Sequence, residues 1–421
     1  MVARSKRRFP LQTTILLASL LFLWLFSLLL VSGKNVPEKV CTTQQLYEDH
    51  PYLCHMLDRL SEDGESVAME ITSWAQMNGL LIDFKELSQD QNELNDHKGQ
   101  QDTGKTMSHA QSKLPVVMAH GMGDSCFNSG MQNIVEHTGT LLGVYSTCIP
   151  TGSNQREDTN NGYFLNMDAS VDVFAEAVRK DEKLKDGFHA IGFSQGNNVI
   201  RGYIARYNEP AVDSFISING VKGGVGAVPY CEPKRRLETA QKHSEITGED
   251  NYKALGGICD LLMEQASKKA YTEWSQEHLF QANYWRDPRP VEKDSYRKFS
   301  QLAQWGNEGL TFNQTLKDNW SKTKKFVWVL ATQDGMVWPR EGEQWGAPDP
   351  ADPFHSILSM NETEWYLKDL FGLKTAQEEG KNFFESFEGD HLQFTLDQYN
   401  EWVTSYLTHS AVHNDMVVSE Y

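Results

Sequence analysis

The pentapeptide Gly192-Phe193-Ser194-Gln195-Gly196 stands where an apolar run, 188–193, gives way to a helical period, 198–207. This junction constrains the fold more than any other feature of the chain. A serine there sits on a tight strand-to-helix turn that lifts its hydroxyl above a sheet, and a glycine on each side removes the side chains that would clash. The surrounding sequence has the rhythm such a turn needs. Residues 114–119 read as a strand buried on both faces, followed by a helix over 130–142 and a strand over 144–149. Val171, Phe174, Ala175, Val178 and Leu184 fall on one helical stripe, and the run 212–218 returns as a strand. About a hundred residues without a convincing strand follow, 220–322, and an interval of that length inside a sheet protein reads as an inserted helical cap. Strands are then expected over 325–331 and 382–387, with a closing helix over 396–407. Strands alternating with helices in this way specify an α/β class with a mostly parallel central sheet flanked by helices.

Before this domain, set at 114–409, lie three segments of different character. Residues 1–33 carry Arg4, Lys6, Arg7 and Arg8 ahead of an apolar run over 15–31, which reads as a signal peptide cleaved after Gly33. An uncleaved signal anchor is the alternative, and either outcome places the rest of the chain in the secretory lumen. Residues 34–90 are amphipathic in places and form a helical N-terminal extension. Residues 91–113 are rich in Gln, Asp, Asn, Gly and Lys and form a linker, because they have too little apolar surface to offset the entropy of folding. A short tail, 410–421, ends the chain.

Lumenal placement makes the six cysteines a disulfide framework. The most local pairing joins Cys41 to Cys54, Cys126 to Cys148 and Cys231 to Cys259, although sequence leaves about 15 connectivities open. Sequons at Asn313, Asn319 and Asn361 are glycosylation candidates. A formal charge of −18 argues against nucleic acid as a partner.

A serine hydroxyl becomes a strong nucleophile only when a histidine takes its proton, and a buried carboxylate must orient that histidine. On a scaffold of this kind the partners follow in the order Ser, acid, His. Asp334 lies just past the strand over 325–331, and His391 just past the strand over 382–387, so both stand at strand carboxyl ends, where open α/β sheets assemble their sites. His355 follows no expected strand, His278 lies in the cap and His189 precedes the serine. The amide of Gln195 and that of Met122, in the turn His120-Gly121-Met122-Gly123-Asp124 after the first strand, are the candidate oxyanion donors. No zinc, nucleotide or dinucleotide signature is present, so neither a metal nor a cofactor is expected. The cap aromatics Trp274, Phe280, Tyr284, Trp285, Trp305 and Phe312 either wall an acyl-chain groove or pack on the body.

These residues together resemble the palmitoyl-protein thioesterases, lysosomal enzymes of the α/β-hydrolase fold. The likeness is carried by His120-Gly121-Met122-Gly123-Asp124-Ser125-Cys126, by Gly192-Phe193-Ser194-Gln195-Gly196, by Gln281-Ala282-Asn283-Tyr284-Trp285-Arg286-Asp287-Pro288 and by Glu388-Gly389-Asp390-His391-Leu392-Gln393. It implies Ser194 as nucleophile, Asp334 and His391 as its partners, and the amides of Met122 and Gln195 as the oxyanion hole. It also implies a Cys231–Cys259 bridge and a glycan on Asn313. Fatty acyl thioesters on S-acylated proteins or peptides are the implied substrates, and a peripheral membrane contact is a further expectation. A lysosomal or secreted location follows. Two departures stand out: Cys126-Phe127 replaces the family's adjacent cysteines, and Asn219-Gly220-Val221-Lys222-Gly223-Gly224 lacks its usual Gln and His. A lipase or carboxylesterase on the same scaffold, and a non-catalytic lumenal glycoprotein that binds acyl chains, are the competing readings.

Overall fold

The computed structural model describes residues 114–229, 231, 263, 266–289 and 293–408. The expectations for the signal, the N-terminal extension, the linker and the tail, and for Cys41, Cys54 and Cys259, lie outside the described residues.

The chain enters the sheet through β1 (Val116–Ala119), crosses in α1 (Ser129–Leu142) and returns as β2 (Ser146–Cys148). Two helices follow, α2 (Gln155–Phe164) and α3 (Met167–Lys180), and lead into β3 (Phe188–Phe193), α4 (Gly196–Arg206) and β4 (Val212–Ile218). A 3₁₀ turn at Val221–Gly223 opens the long insertion. Its described part includes the short helices α5 (Glu273–His278), α6 (Phe280–Asn283), α7 (Lys293–Phe299), α8 (Gln301–Trp305) and α9 (Gln314–Ser321). The sheet resumes with β5 (Lys325–Ala331). A 3₁₀ turn at Arg340–Gln344, a small antiparallel pair, β6 (Ala347–Pro348) and β7 (Ile357–Leu358), and the short helices α10 (Glu364–Leu367) and α11 (Leu373–Glu378) precede β8 (Asn382–Phe387) and α12 (Leu396–Leu407).

Six strands form one parallel sheet in the order β2-β1-β3-β4-β5-β8. Side chains alternate across each strand, and the two faces bury separate clusters. Val116, Met118, Ile191, Ile216 and Val327 pack on one side with Ile134 of α1 and Tyr399 and Trp402 of α12. Val117, Ala190, Phe215, Phe326 and Trp328 pack on the other with Phe174 of α3 and Tyr203 of α4. Such two-sided burial is the reason β1 is an unbroken apolar run and β3 and β5 are nearly so. The architecture is the parallel sheet flanked by helices that the strand and helix pattern specifies, and it fits the α/β-hydrolase fold that the resemblance implies.

Local signals set the element ends. Asn166 caps α3 by accepting from the Ala169 amide, and Val171, Phe174, Ala175 and Val178 form its buried stripe. Thr395 and Gln398 form a reciprocal capping box at the start of α12. Among the described residues no helix is long and apolar enough to cross a membrane.

Three expectations about individual residues need correction or refinement. Asn319 is buried, its amide nitrogen donating to the Ala205 carbonyl at 3.0 Å and its oxygen accepting from Lys322. A glycan there is incompatible with this packing, whereas Asn313 and Asn361 are exposed. Of the cap aromatics, Phe280, Tyr284, Trp285 and Trp305 are core residues, and Trp274 and Phe312 lie partly exposed on the surface. Among these aromatics, Phe280 lines a small cavity of about 20 Å³ with His120 and Gln195. Cys126 is bonded to Cys148, and Cys231 is also disulfide-bonded.

Candidate active site

Parallel strands deliver their carboxyl ends to one edge, and five loops meet there: those after β1, β3, β4, β5 and β8. Ser194 follows β3 directly, with φ of 49°. A non-glycine residue held in this left-handed region costs about 1–3 kcal/mol, and such strain persists only where surrounding structure imposes it. Here the strand before it and α4 after it do so: the Ser194 amide donates to the Ile218 carbonyl at 3.0 Å, and its carbonyl accepts from the amide of Asn197. The flanking glycines are sterically required. A Cβ on Gly192 would lie 2.4 Å from Asn197 Oδ1, and one on Gly196 would lie 2.2 Å from the Ala119 carbonyl.

His391 reaches the serine from the far end of the chain. Its Nε2 lies 2.8 Å from Ser194 Oγ, and its Nδ1 lies 2.6 Å from Asp334 Oδ2. Asp334 Oδ1 accepts from the amides of Met336 and Val337 at 2.7 and 2.8 Å, so both carboxylate oxygens are engaged. Burial pushes the Asp334 carboxyl upward, but the charge and hydrogen bond of His391 outweigh it and hold the group below its ordinary value. The loops that carry these residues are tied to each other. Asp390 accepts from the amides of Gly335 and His391, and Asn219 accepts from the amide of Leu392 at 3.0 Å. Asn219 itself adopts φ of 45° after β4, a conformation asparagine tolerates.

The turn after β1 backs onto the serine, since a Cβ on Gly121 would meet Ser194 Cβ at 3.3 Å. Met122 is the next residue of that turn, and Gln195 is the N-cap of α4 on the other side. The Gln195 side chain donates to the Gly162 carbonyl at 2.7 Å and accepts from Gln281 at 3.0 Å, which joins the residue after the serine to α2 and to α6 of the insertion. Gln281 thus acquires a structural reason for its place in the Gln281–Pro288 stretch.

Asp158 of α2 organises the turn after β1. It accepts from the Ser125 hydroxyl at 2.8 Å, the Cys126 amide at 2.9 Å and the Thr151 amide at 2.6 Å, and it pairs with His120 Nε2 at 3.2 Å. His120 Nδ1 donates to the Gly121 carbonyl, so both ring nitrogens have acceptors, as an imidazolium requires. Burial alone would lower the His120 pKa, but the hydrogen bond and charge of Asp158 outweigh it and raise it. Burial likewise works against the Asp158 anion, and its partners, His120 first, overcome it and bring the carboxyl to about 2. The Asp158 contribution to stability is therefore present above an unfolded value of about 3.9 and lost as pH falls through about 2. The His120 contribution is present below an unfolded value of about 6.5 and lost as pH rises through its raised folded value. The pair is complete between about pH 4 and 6.5, where it contributes about 2 kcal/mol. Thermal melts of the protein and of His120→Gln should differ most in that window and converge above it; a gap that is constant with pH would contradict the assignment.

Two clusters have the residue types of a metal site, His120 with Cys126 and Asp158, and Asp334 with Glu343 and His391. Cys126 has its sulfur in a disulfide, and in the second group Asp334 and His391 are committed to each other while Glu343 accepts from Asn219 Nδ2 and the Ala331 amide. The network residues Asp158, Asn219 and Glu343 carry no motif of their own and were not singled out as site residues from sequence.

Comparison with known proteins agrees with this architecture. The family model described as Palmitoyl protein thioesterase matches residues 115–391. Palmitoyl-protein thioesterase 1 of Caenorhabditis elegans is 33% identical over 289 residues, which cover 68% of this chain and 88% of that protein. Palmitoyl-protein thioesterase 3 of Dictyostelium discoideum is 30% identical over 287 residues, covering 68% and 87%. Lysosomal thioesterase PPT2 of Mus musculus is 29% identical over 280 residues, covering 65% and 80%. A match through the turn after β1, the serine turn and the His391 loop, in one order and on one sheet edge, has a single explanation: the chain belongs to the palmitoyl protein thioesterase family.

Proposed function

We propose that the protein is a palmitoyl-protein thioesterase that hydrolyses long-chain fatty acyl thioesters on cysteines of proteins or peptides, with Ser194 as nucleophile, His391 as general base and acid, and Asp334 as the carboxylate that orients it. The observation that carries this reading is the unbroken Ser194–His391–Asp334 relay, 2.8 and 2.6 Å, on a strained turn in a chain of this family.

Ser194 Oγ attacks the acyl carbonyl carbon while His391 Nε2 takes the hydroxyl proton. The carbonyl oxygen becomes an anion, for which the amides of Met122 and Gln195 are the proposed donors. Collapse of this intermediate expels the cysteine sulfur, which leaves with ease because a thiol has a pKa of only about 8.5, and His391 returns the proton. Water, deprotonated by the same imidazole, then attacks the acyl-serine and releases the fatty acid.

Membership of a family that includes lysosomal thioesterases, and a His120–Asp158 pair complete at mildly acidic pH, support work in an acidic lumen reached by the secretory pathway, in the lysosome or after secretion. The proposed layout keeps residues 1–33 as the export signal and 114–409 as the catalytic domain, with the insertion at about 220–322 as its cap. Side-by-side turnover of a palmitoyl-cysteine peptide and a palmitoyl oxygen ester by the purified protein at mildly acidic pH tests the substrate class. The thioester should be cleaved faster. Preference for the oxygen ester would make the protein a lipase or carboxylesterase, and turnover of neither would leave only an acyl-binding role.

A further inference from the structure

The carboxylate that orients His391 has a second acid beside it. Glu343, in the 3₁₀ turn Arg340–Gln344, is completely buried, as is Asp334. One oxygen of each carboxyl and one ring nitrogen of His391 lie within 4.8 Å of one another. Two carboxylates so close, out of water, cannot both be charged, so the pair holds a proton. The hydrogen bonds say which member carries it. Asp334 has the His391 ring on one oxygen and two backbone amides on the other, the environment of an anion. Glu343 takes both of its donors, Asn219 Nδ2 at 2.8 Å and the Ala331 amide at 3.0 Å, on Oε2. Its Oε1 is buried and has no donor, which is how a protonated oxygen presents itself when hydrogens are not seen.

We propose that Glu343 is a positioning residue: as a neutral carboxylic acid it donates a hydrogen bond from Oε1 to the Asp334 carboxylate, and so sets the charge that Asp334 presents to the His391 ring. A donor on Asp334 withdraws negative charge from the oxygens that face the imidazole, and a weaker anion stabilises the imidazolium less. The neighbouring charges agree with this assignment. Lys222 donates from Nζ to the backbone carbonyl of Glu343, not to its carboxyl, and lies 4.6 Å from the Trp328 ring and 5.3 Å from the Trp345 ring. Arg201 donates to the Lys222 carbonyl and lies 5.0 Å from Trp345. Burial brings the Lys222 ammonium down to about 7. Burial, then the charge of Asp334, pushes Glu343 well above the ordinary carboxyl range.

The inference rests on the roles given to Ser194, His391 and Asp334 above, and its test does not use an acyl substrate. The rate of Ser194 labelling by a fluorophosphonate, which needs a neutral His391, is measured from about pH 4 to 8 on the full chain, on Glu343→Gln and on Glu343→Leu, with thermal melts alongside. A glutamine places its carbonyl on the two donors and its NH₂ toward Asp334. Glu343→Gln should therefore label within about threefold of the unaltered protein, with its acid limb in place. Glu343→Leu, which has no donor, should move the acid limb up by about one pH unit, a loss of about tenfold at the acid end. An acid limb that moves downward in Glu343→Gln would show that the native residue is charged and overturn the inference. So would an unmoved limb in Glu343→Leu, the mark of a residue that only packs. Should the leucine variant not fold, the glutamine profile decides alone. A protein that labels but does not cleave the palmitoyl thioester overturns the substrate assignment and leaves this test intact.

Discussion

Ser194→Ala should lower kcat for a palmitoyl-cysteine peptide by about 10⁶-fold, the scale on which removal of an activated serine acts when histidine and acid remain in place. The substitution deletes one oxygen. Ser194 is held by backbone bonds to Ile218 and Asn197 rather than by its hydroxyl, so the variant should keep the fold and thermal stability of the parent. It still carries the proposed oxyanion amides, and whatever activity remains should reflect them and substrate binding alone. Measurement of turnover, with a thermal melt as control, checks both halves. Retention of more than about one part in 10³ would mean that the hydroxyl is not the attacking group.

Asp334→Asn should cost about 10⁴-fold in kcat without unfolding the protein. The physical reason is direction. Asp334 Oδ1 accepts two amides, from Met336 and Val337, and an asparagine must keep its carbonyl oxygen there. Its NH₂ then faces His391 Nδ1 and forces the tautomer with the proton on Nε2, which points at Ser194. An imidazole in that tautomer cannot accept the serine proton. Asp334→Ala removes the wrong donor but leaves the ring unoriented, so it should fall in the same range; a loss under about tenfold for Asp334→Asn would detach Asp334 from the histidine.

Much of this was legible in the residues because strands buried on both faces, such as Val116–Ala119 and Lys325–Ala331, are rich in apolar side chains. The strands over 188–193, 212–218, 325–331 and 382–387 and the helix over 396–407 have the same bounds in the structure. At the edge of the sheet the signal weakens: the run 144–149 yields only Ser146–Cys148, whose side chains are half-buried. Before Val116, Pro115 has no amide to give a ladder. Helix α2 left no trace, since Gln155–Phe164 is polar until its last two residues, Tyr163 and Phe164, and has no apolar stripe. It is held by the Asn154 cap and by the contacts of Asp158, which exist only once the turn after β1 is folded. Asn219 and Glu343 were invisible for the same reason, being single polar residues whose partners lie far along the chain.

The stretch that departs from the family pattern, 219–224, has a structural explanation. Val221 and Lys222 are buried, and Lys222 lies against Trp328, Trp345 and the Glu343 carbonyl, so it faces the core rather than a substrate.

The most direct measurement of the central claim is a rapid quench of the protein during turnover of a palmitoyl thioester, followed by mass-spectrometric mapping of the trapped acyl group. A palmitoyl ester on the peptide that contains Ser194, absent from Ser194→Ala, is the expected result. Full turnover by Ser194→Ala, or a palmitoyl adduct on any other residue, would contradict it.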